Sequence, residues 1–258
     1  MKKKITLILL SSCILFTVAI IISYNSTKNK DLFQNKPRLP NKSLPQKKEP
    51  EVLTHIGIDH VLGKIKKVHY YQLNSEYRNS LGYEGRKDKW KVSGKCFYEI
   101  PYEIIDKNLI GNFKIRDFLV KDKYYISNKK LKSKRLNSSM QYLLIDVMVL
   151  HRFLDLLLFI KRCGYDYHKI RINYSFRYPN FNLNEGGVIN SQHMWGKAID
   201  IEVGDINKDG ITDEEKDKKI VLDFLEKIFI KYGGIGRYPG SQTVHFDVRD
   251  KKARWNQQ

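Results

Sequence analysis

Acidic residues are scarce in this chain: 28 Asp and Glu stand against 47 Lys and Arg in 258 residues, a formal net charge of +19. A surface of one dominant sign attracts polyanions, so the partner classes are nucleic acid, anionic lipid headgroups and anionic cell-wall polymers. Cysteine is scarcer still. Only Cys96 and Cys163 lie beyond the N-terminal apolar stretch. Two such thiols could pair in an oxidising compartment, but lone buried cysteines are the commoner arrangement and the expectation here. No internal repeat occurs, and a long apolar run occurs once, over Ile5–Tyr24. Hydrophobic residues make up 41% of the chain, enough for one substantial core, or one domain with a smaller lobe.

The apolar run sets the address. Lys2, Lys3 and Lys4 precede it, it is long enough to cross a bilayer as a helix, and basic flanks stay cytoplasmic, so the remainder is expected outside. No small-x-small cleavage site follows, and although Leu10-Ser11-Ser12-Cys13 looks like a lipoprotein box, the apolar stretch continues past Cys13. Residues 1–24 therefore read as a membrane anchor or signal segment, with the uncleaved anchor preferred. That removes nucleic acid as a partner and leaves an anionic envelope. Residues 25–50 are polar and basic with Pro37, Pro40, Pro45 and Pro50, a linker that cannot form a packed core. Residues 51–110 carry Tyr70, Tyr71, Trp90, Phe97 and Tyr98 without a clear period and read as an N-terminal lobe of unknown role.

Beyond residue 110 the periodicity sharpens. Leu143, Leu144, Val147, Leu150, Leu154, Leu157 and Leu158 follow helical spacing between Ser139 and Cys163, with Gly164 as the stop. A second helix is expected from Asp213 to Tyr232, with a Thr212/Glu215 capping box, a stripe through Val221, Phe224, Leu225 and Ile228, and Gly233 at its end. Three segments alternate as strands instead. "IRINYSFR" puts Arg177 on its polar face, "KAIDIEV" puts Asp200 and Glu202 there, and "TVHFDVR" puts His245 and Asp247 there.

Those faces, with His193 entering from the preceding loop, hold ligand types suited to zinc. Three protein ligands leave the fourth position to water, whose pKa falls to roughly 7 on the metal. Arg177, planar and permanently charged, suits a substrate carboxylate or a developing oxyanion. Solvated residues on an open antiparallel face are the bland alternative, but His193, Asp200 and His245 together, with Gly196 and Ala198 allowing close approach, favour the metal.

"INYSFRYPNFN", "SQHMWGKAIDI" and "GGIGRYPGSQTVHFDVR", closed by "ARW", resemble the zinc D-alanyl-D-alanine carboxypeptidase and L-alanyl-D-glutamate endopeptidase superfamily, to which the hedgehog signalling domain is related. The likeness is closest to the envelope branch with Ser-x-His-x-x-Gly-x-Ala-x-Asp followed by His-x-Asp. It runs from about Asn112 to Trp255, since "GNFKIRDF" is similar to that branch's opening segment. The resemblance implies an α+β fold, a small antiparallel sheet packed on helices, with zinc on the open sheet face and a peptidase domain over residues 111–258. It implies zinc on His193, Asp200 and a third ligand from "VHFDVR": His245 on one alignment, Asp247 on another, with His245 preferred and Asp247 kept as base or alternate ligand. Gln242 stands where several relatives place an acidic base, and Glu202 is the fallback. Ser191, Arg237 and Tyr238 are expected to line the substrate groove, and peptidoglycan is the implied partner.

Two further motifs carry expectations. In "DINKDGITDEEKD", Asp205, Asn207, Asp209, Gly210, Ile211 and Asp213 match the start of a calcium loop, although the twelfth position is Lys216. Calcium is expected there narrowly over an acidic turn before a helix. Gly233, Gly234 and Gly236 follow a helix rather than opening one, so they read as a turn aiming the last strand, not as a phosphate loop. "NKKLKSKR", residues 128–135, reads as a solvated basic loop.

Overall fold

Elements in the computed structural model, which describes residues 53–121, 140–229 and 231–257, begin with helix α1 (His55–Gly63) and strand β1 (Lys67–His69). Short helices α2 (Ser75–Ser80) and α3 (Trp90–Ser93) follow, then β2 (Cys96–Pro101), β3 (Asn108–Ile110) and β4 (Phe113–Lys114). After β5 (Met140–Leu143) comes the long helix α4 (Val147–Arg162), then β6 (Ile170–Tyr174), α5 (Pro179–Asn184) and β7 (Ala198–Val203). Helix α6 (Lys219–Ile228) leads into β8 (Gly234–Arg237), β9 (Thr243–Asp247) and β10 (Ala253–Asn256). The stretch expected as a membrane anchor, the linker and the basic loop at 128–135 fall outside the described residues. Among those described, no helix is long and apolar enough to cross a membrane.

The three alternating segments share one five-stranded sheet of order β10-β8-β9-β7-β6. It is mixed rather than purely antiparallel, because β10 runs parallel to β8. Register places Asp200 opposite His245 and Ala198 opposite Asp247. The alternation expected through Arg177 ends earlier: an irregularity between Ile172 and Tyr174 sets Tyr174 against Asp200, and Ser175, Phe176 and Arg177 leave the strand, all buried.

Two helix expectations need correction at their starts. Met140–Leu143 pairs with β2 as a strand, because Asp146 caps α4 by accepting from the Met148 N–H at 3.0 Å. At the second helix Asp213, not Thr212, is the cap, accepting from the Lys216 N–H at 2.7 Å. A π-helical turn (Glu214–Lys218) opens it, and it ends at Ile228, short of Tyr232. Cys96 and Cys163 are free thiols, but neither is buried.

One hydrophobic cluster extends from Ile58 to Phe246. Phe153 of α4 meets Phe113 at 4.9 Å, Phe118 at 6.3 Å and Phe246 of β9 at 6.3 Å between ring centroids. Burying each such ring is worth about 1.5–3 kcal/mol. Ile58, Tyr70, Phe97 and Leu109 from residues 53–110 belong to the same cluster as Ile199, Val221 and Phe246. The segment read as an N-terminal lobe thus shares its core with the sheet that carries the polar face.

Candidate metal centre

His193 sits in a 3₁₀ turn (Gln192–Trp195) whose following residue, Gly196, is left-handed at φ +67°. A Cβ there would lie 2.4 Å from the Leu144 carbonyl oxygen, so the close approach needs glycine. The turn carries the imidazole toward the middle of β7 and β9. Nε2 of His193, Oδ1 of Asp200 and Nδ1 of His245 form a triangle with sides of 3.1, 3.2 and 2.7 Å. Among the described residues this is the one group of three or more His, Cys, Asp or Glu side chains placed to hold a metal.

What lies behind each ligand makes the chemistry specific. Nδ1 of His193 is 2.5 Å from the Ser175 carbonyl oxygen, so that nitrogen carries the proton and Nε2 offers its lone pair inward. Nε2 of His245 faces Asp247 Oδ2 at 3.0 Å, which frees Nδ1 in the same way. Two lone pairs and a carboxylate oxygen then converge, an arrangement that repels itself unless a cation or a proton sits among them. Tetrahedral zinc with bonds of 2.0–2.1 Å separates its ligands by about 3.3 Å, close to the two sides at His193, while the Asp200–His245 side is shorter at 2.7 Å. The donor set fits zinc, with the outer-nitrogen partners that zinc-binding histidines ordinarily have.

The surroundings set the charges. Burial lowers the His193 pKa, with Arg177 and His245 adding to that and Asp200 opposing it. Burial would lower His245 too, but hydrogen bonds to Asp200 and Asp247 outweigh it, and its pKa is raised. Burial works against ionisation of Asp200, yet His193 and His245 hold it far below the carboxylate range. Asp247 is depressed likewise, burial being overcome by His245 and Arg249. Burial lifts the Tyr238 phenol to about 12, with Asp200 raising it and Arg177 opposing.

Several expected roles change. The site is not on an open face: His193, Asp200 and His245 are all at most 5% exposed. Asp247, fully buried, accepts from the Gly234 N–H at 3.1 Å and the Arg249 Nε at 2.8 Å and Nη2 at 2.6 Å. Both its oxygens are engaged by donors, and Oδ2 faces the His245 ring nitrogen at 3.0 Å. Glu202 points along the same face of β7 but pairs with Arg171 at 2.6 Å, away from the triangle. Arg177 pairs with Asp200 Oδ2 and stacks over Tyr174 at 4.1 Å, while its Nε is buried without a hydrogen-bond partner among the described residues. Arg237 pairs with Glu226 of α6 at 2.6 Å. Ser191 is buried where the turn begins, its carbonyl accepting from Met194 at 3.2 Å.

Of the glycines after α6 expected as a turn, Gly233 is left-handed at φ +86° ahead of the strand, whereas the other two are strand rather than turn. Gly234 and Gly236 lie in β8 beside Asp247 and His245. A Cβ on Gly234 would come within 2.2 Å of Asp247 Oδ2, and one on Gly236 within 2.7 Å of the Trp255 ring. Trp255 in turn lies 5.0 Å from the His245 ring. Residue-type reasoning missed Trp255, Arg249 and the Ser175 carbonyl. The first two were visible, in the closing "ARW" and on the polar face of "TVHFDVR"; a backbone carbonyl leaves no mark in a sequence.

Calcium finds no support in the acidic loop. Asp205 accepts from the Asp209 and Gly210 N–H groups, both at 3.1 Å, and Asn207 from Asp209 at 2.8 Å. The Lys216 ammonium lies 2.7 Å from Asp209 Oδ2 and 3.7 Å from Asp213 Oδ2, and Ile211 is exposed. Lys216, at the position where a bidentate acid was needed, supplies positive charge to the cluster itself.

Residues 154–247 match the model of a family described as Peptidase M15, a segment that spans the site from α4 to the end of β9. No curated protein and no solved structure matches the chain.

Proposed function

We propose that this chain, which carries a Peptidase M15 segment over residues 154–247, is a zinc-dependent peptidase that hydrolyses peptide bonds of peptidoglycan, as a carboxypeptidase or an endopeptidase. The observation that carries the reading is the inward-facing triangle of His193, Asp200 and His245, with both outer imidazole nitrogens already engaged. Zinc held there supplies Lewis acidity toward water and a substrate carbonyl. The residues around it divide the remaining work. Asp247, clamped by Arg249, holds His245 in the tautomer that faces the metal. Arg177 steadies Asp200 through its second oxygen and keeps its Nε–H for substrate. Tyr238 keeps its proton far above neutral pH, the protonation state that a donor to a developing oxyanion needs. The +19 charge and the apolar run behind Lys2–Lys4 support a location in the cell envelope, anchored in the cytoplasmic membrane with the domain outside.

One observation favours a second reading, a non-catalytic envelope-binding module that uses the metal for structure or recognition. The candidate proton carriers are compromised: Asp247 is engaged by donors at both oxygens, Glu202 is ion-paired, and Gln242 is an amide whose buried Oε1 has no hydrogen-bond partner among the described residues. Digestion of purified muropeptides separates the two. The peptidase reading expects stem or crosslink cleavage that a chelator stops and zinc restores; unchanged products with and without chelator favour the binder. His193→Ala is expected to abolish stoichiometric zinc while leaving the fold's circular dichroism unchanged, and retained zinc in that variant overturns the ligand set.

A further inference from the structure

Residues 53–118 lie outside the segment that matches the peptidase family, yet part of them reaches the metal centre's scaffold. The Tyr83 hydroxyl donates to the Met194 carbonyl at 2.5 Å, the residue directly after His193. Three residues further on, Arg86 Nη2 donates to the Ile189 carbonyl at 2.9 Å. On the other side of Tyr83, Asn180 donates through its backbone to the Leu81 carbonyl at 3.3 Å and through Nδ2 to the Ser80 carbonyl at 2.9 Å. Gly82, at φ +82°, permits that approach, since a Cβ there would lie 2.2 Å from Asn180 Oδ1. The stretch 80–86 therefore grips the chain on both sides of the loop that leads to His193.

The His193 turn is held at more than one point. One side is tied to the end of β6, by Nδ1 against the Ser175 carbonyl and by the Arg177 N–H donating to the His193 carbonyl at 3.2 Å. At the far end of the turn the Asp146 N–H donates to the Gly196 carbonyl at 2.8 Å. Tyr83 adds a point between them, at the Met194 carbonyl. Its ring is fully buried, meets Trp195 of the turn at 5.8 Å and is held edge-on by Tyr70 at 5.8 Å. A rigid aromatic ending in one directed hydrogen bond fixes position at little entropic cost.

We infer that Tyr83 is a positioning residue for the zinc ligand His193, and that the segment before the family match braces the metal centre. The inference rests on the zinc reading above and is tested on the full chain by zinc affinity, measured by chelator competition, beside thermal melting. Tyr83→Phe removes only the hydroxyl; it is expected to weaken zinc binding about tenfold, the low end for lost outer-sphere support, with a melting temperature lower by roughly 2–6 °C. Tyr70→Phe, which breaks the Tyr70–Glu84 hydrogen bond in the same aromatic cluster but touches no part of the turn's backbone, is the control. It is expected to lower the melting temperature similarly and leave zinc affinity within about twofold. Arg86→Gln, at a partly exposed position, cuts the outer tie and is expected to weaken zinc by about threefold, a fraction of the outer-sphere range. Equal affinity in wild type, Tyr83→Phe and Arg86→Gln, or equal weakening by Tyr70→Phe, overturns the inference while the zinc reading stands. A wild-type chain that binds no zinc overturns both.

Discussion

His245 shows how much one side chain's neighbours decide. Its imidazole lies between two carboxylates, Asp200 at 2.7 Å and Asp247 at 3.0 Å, and without metal that environment favours the protonated ring. Zinc requires the neutral ring, so binding expels this proton. Apparent zinc affinity is therefore expected to rise with pH while His245 is still protonated in the metal-free chain, and to level off above its raised pKa. Calorimetry in buffers of different ionisation enthalpy is expected to count about one proton released per zinc below that point; none released removes His245 from the ligand set. Asp247→Asn tests the partner. It keeps the shape but loses the charge that holds His245 and Arg249, and is expected to weaken zinc by about 10–100-fold in the same competition assay.

At the scale of elements, the site depends on strands and turns that tolerate no extra atoms. Gly196 combines a left-handed backbone with a 2.4 Å approach of any Cβ to the Leu144 carbonyl oxygen. Gly196→Ala is expected to destabilise the fold by at least about 1–3 kcal/mol from the backbone conformation alone, read as a lower urea midpoint with unchanged slope. It also moves His193, three residues away, so its zinc affinity is expected to fall with its stability. The acidic loop is an element of a different kind. Its calcium pattern was legible residue by residue, yet the loop closes on backbone N–H groups and on the Lys216 ammonium. The spacing of acids marks where carboxylates gather; it does not report which cation meets them.

For the whole molecule, Phe153 sits where α4, the β3–β4 region and the main sheet meet. Phe153→Ala is expected to cost about 3–5 kcal/mol. Because the core is continuous from Ile58 to Phe246, unfolding of residues 53–257 is expected in one cooperative transition. A separate early melting phase for residues 53–118, followed by tryptophan fluorescence at Trp90, counts against a shared core.

The sequence by itself determined the polar faces of β7 and β9, the long core helix, the pairing of His193 with Asp200 across "HMWGKAID", and the residue types of a zinc centre. These are local properties, set by side-chain period and by the chemistry of imidazole and carboxylate. Tertiary structure alone decided which polar residues meet. Glu202 and Arg237 carry the right chemistry, but Arg171 and Glu226 claim them; Asp247 lies in the right strand and is consumed by Arg249 and Gly234. It also decided that Ser175 and Tyr83, distant in sequence and one of them acting only through its backbone, both hydrogen-bond to the ligand turn. Electrostatic pairing and hydrogen bonding act over a few ångströms of space, and neither is written in the order of residues along a strand.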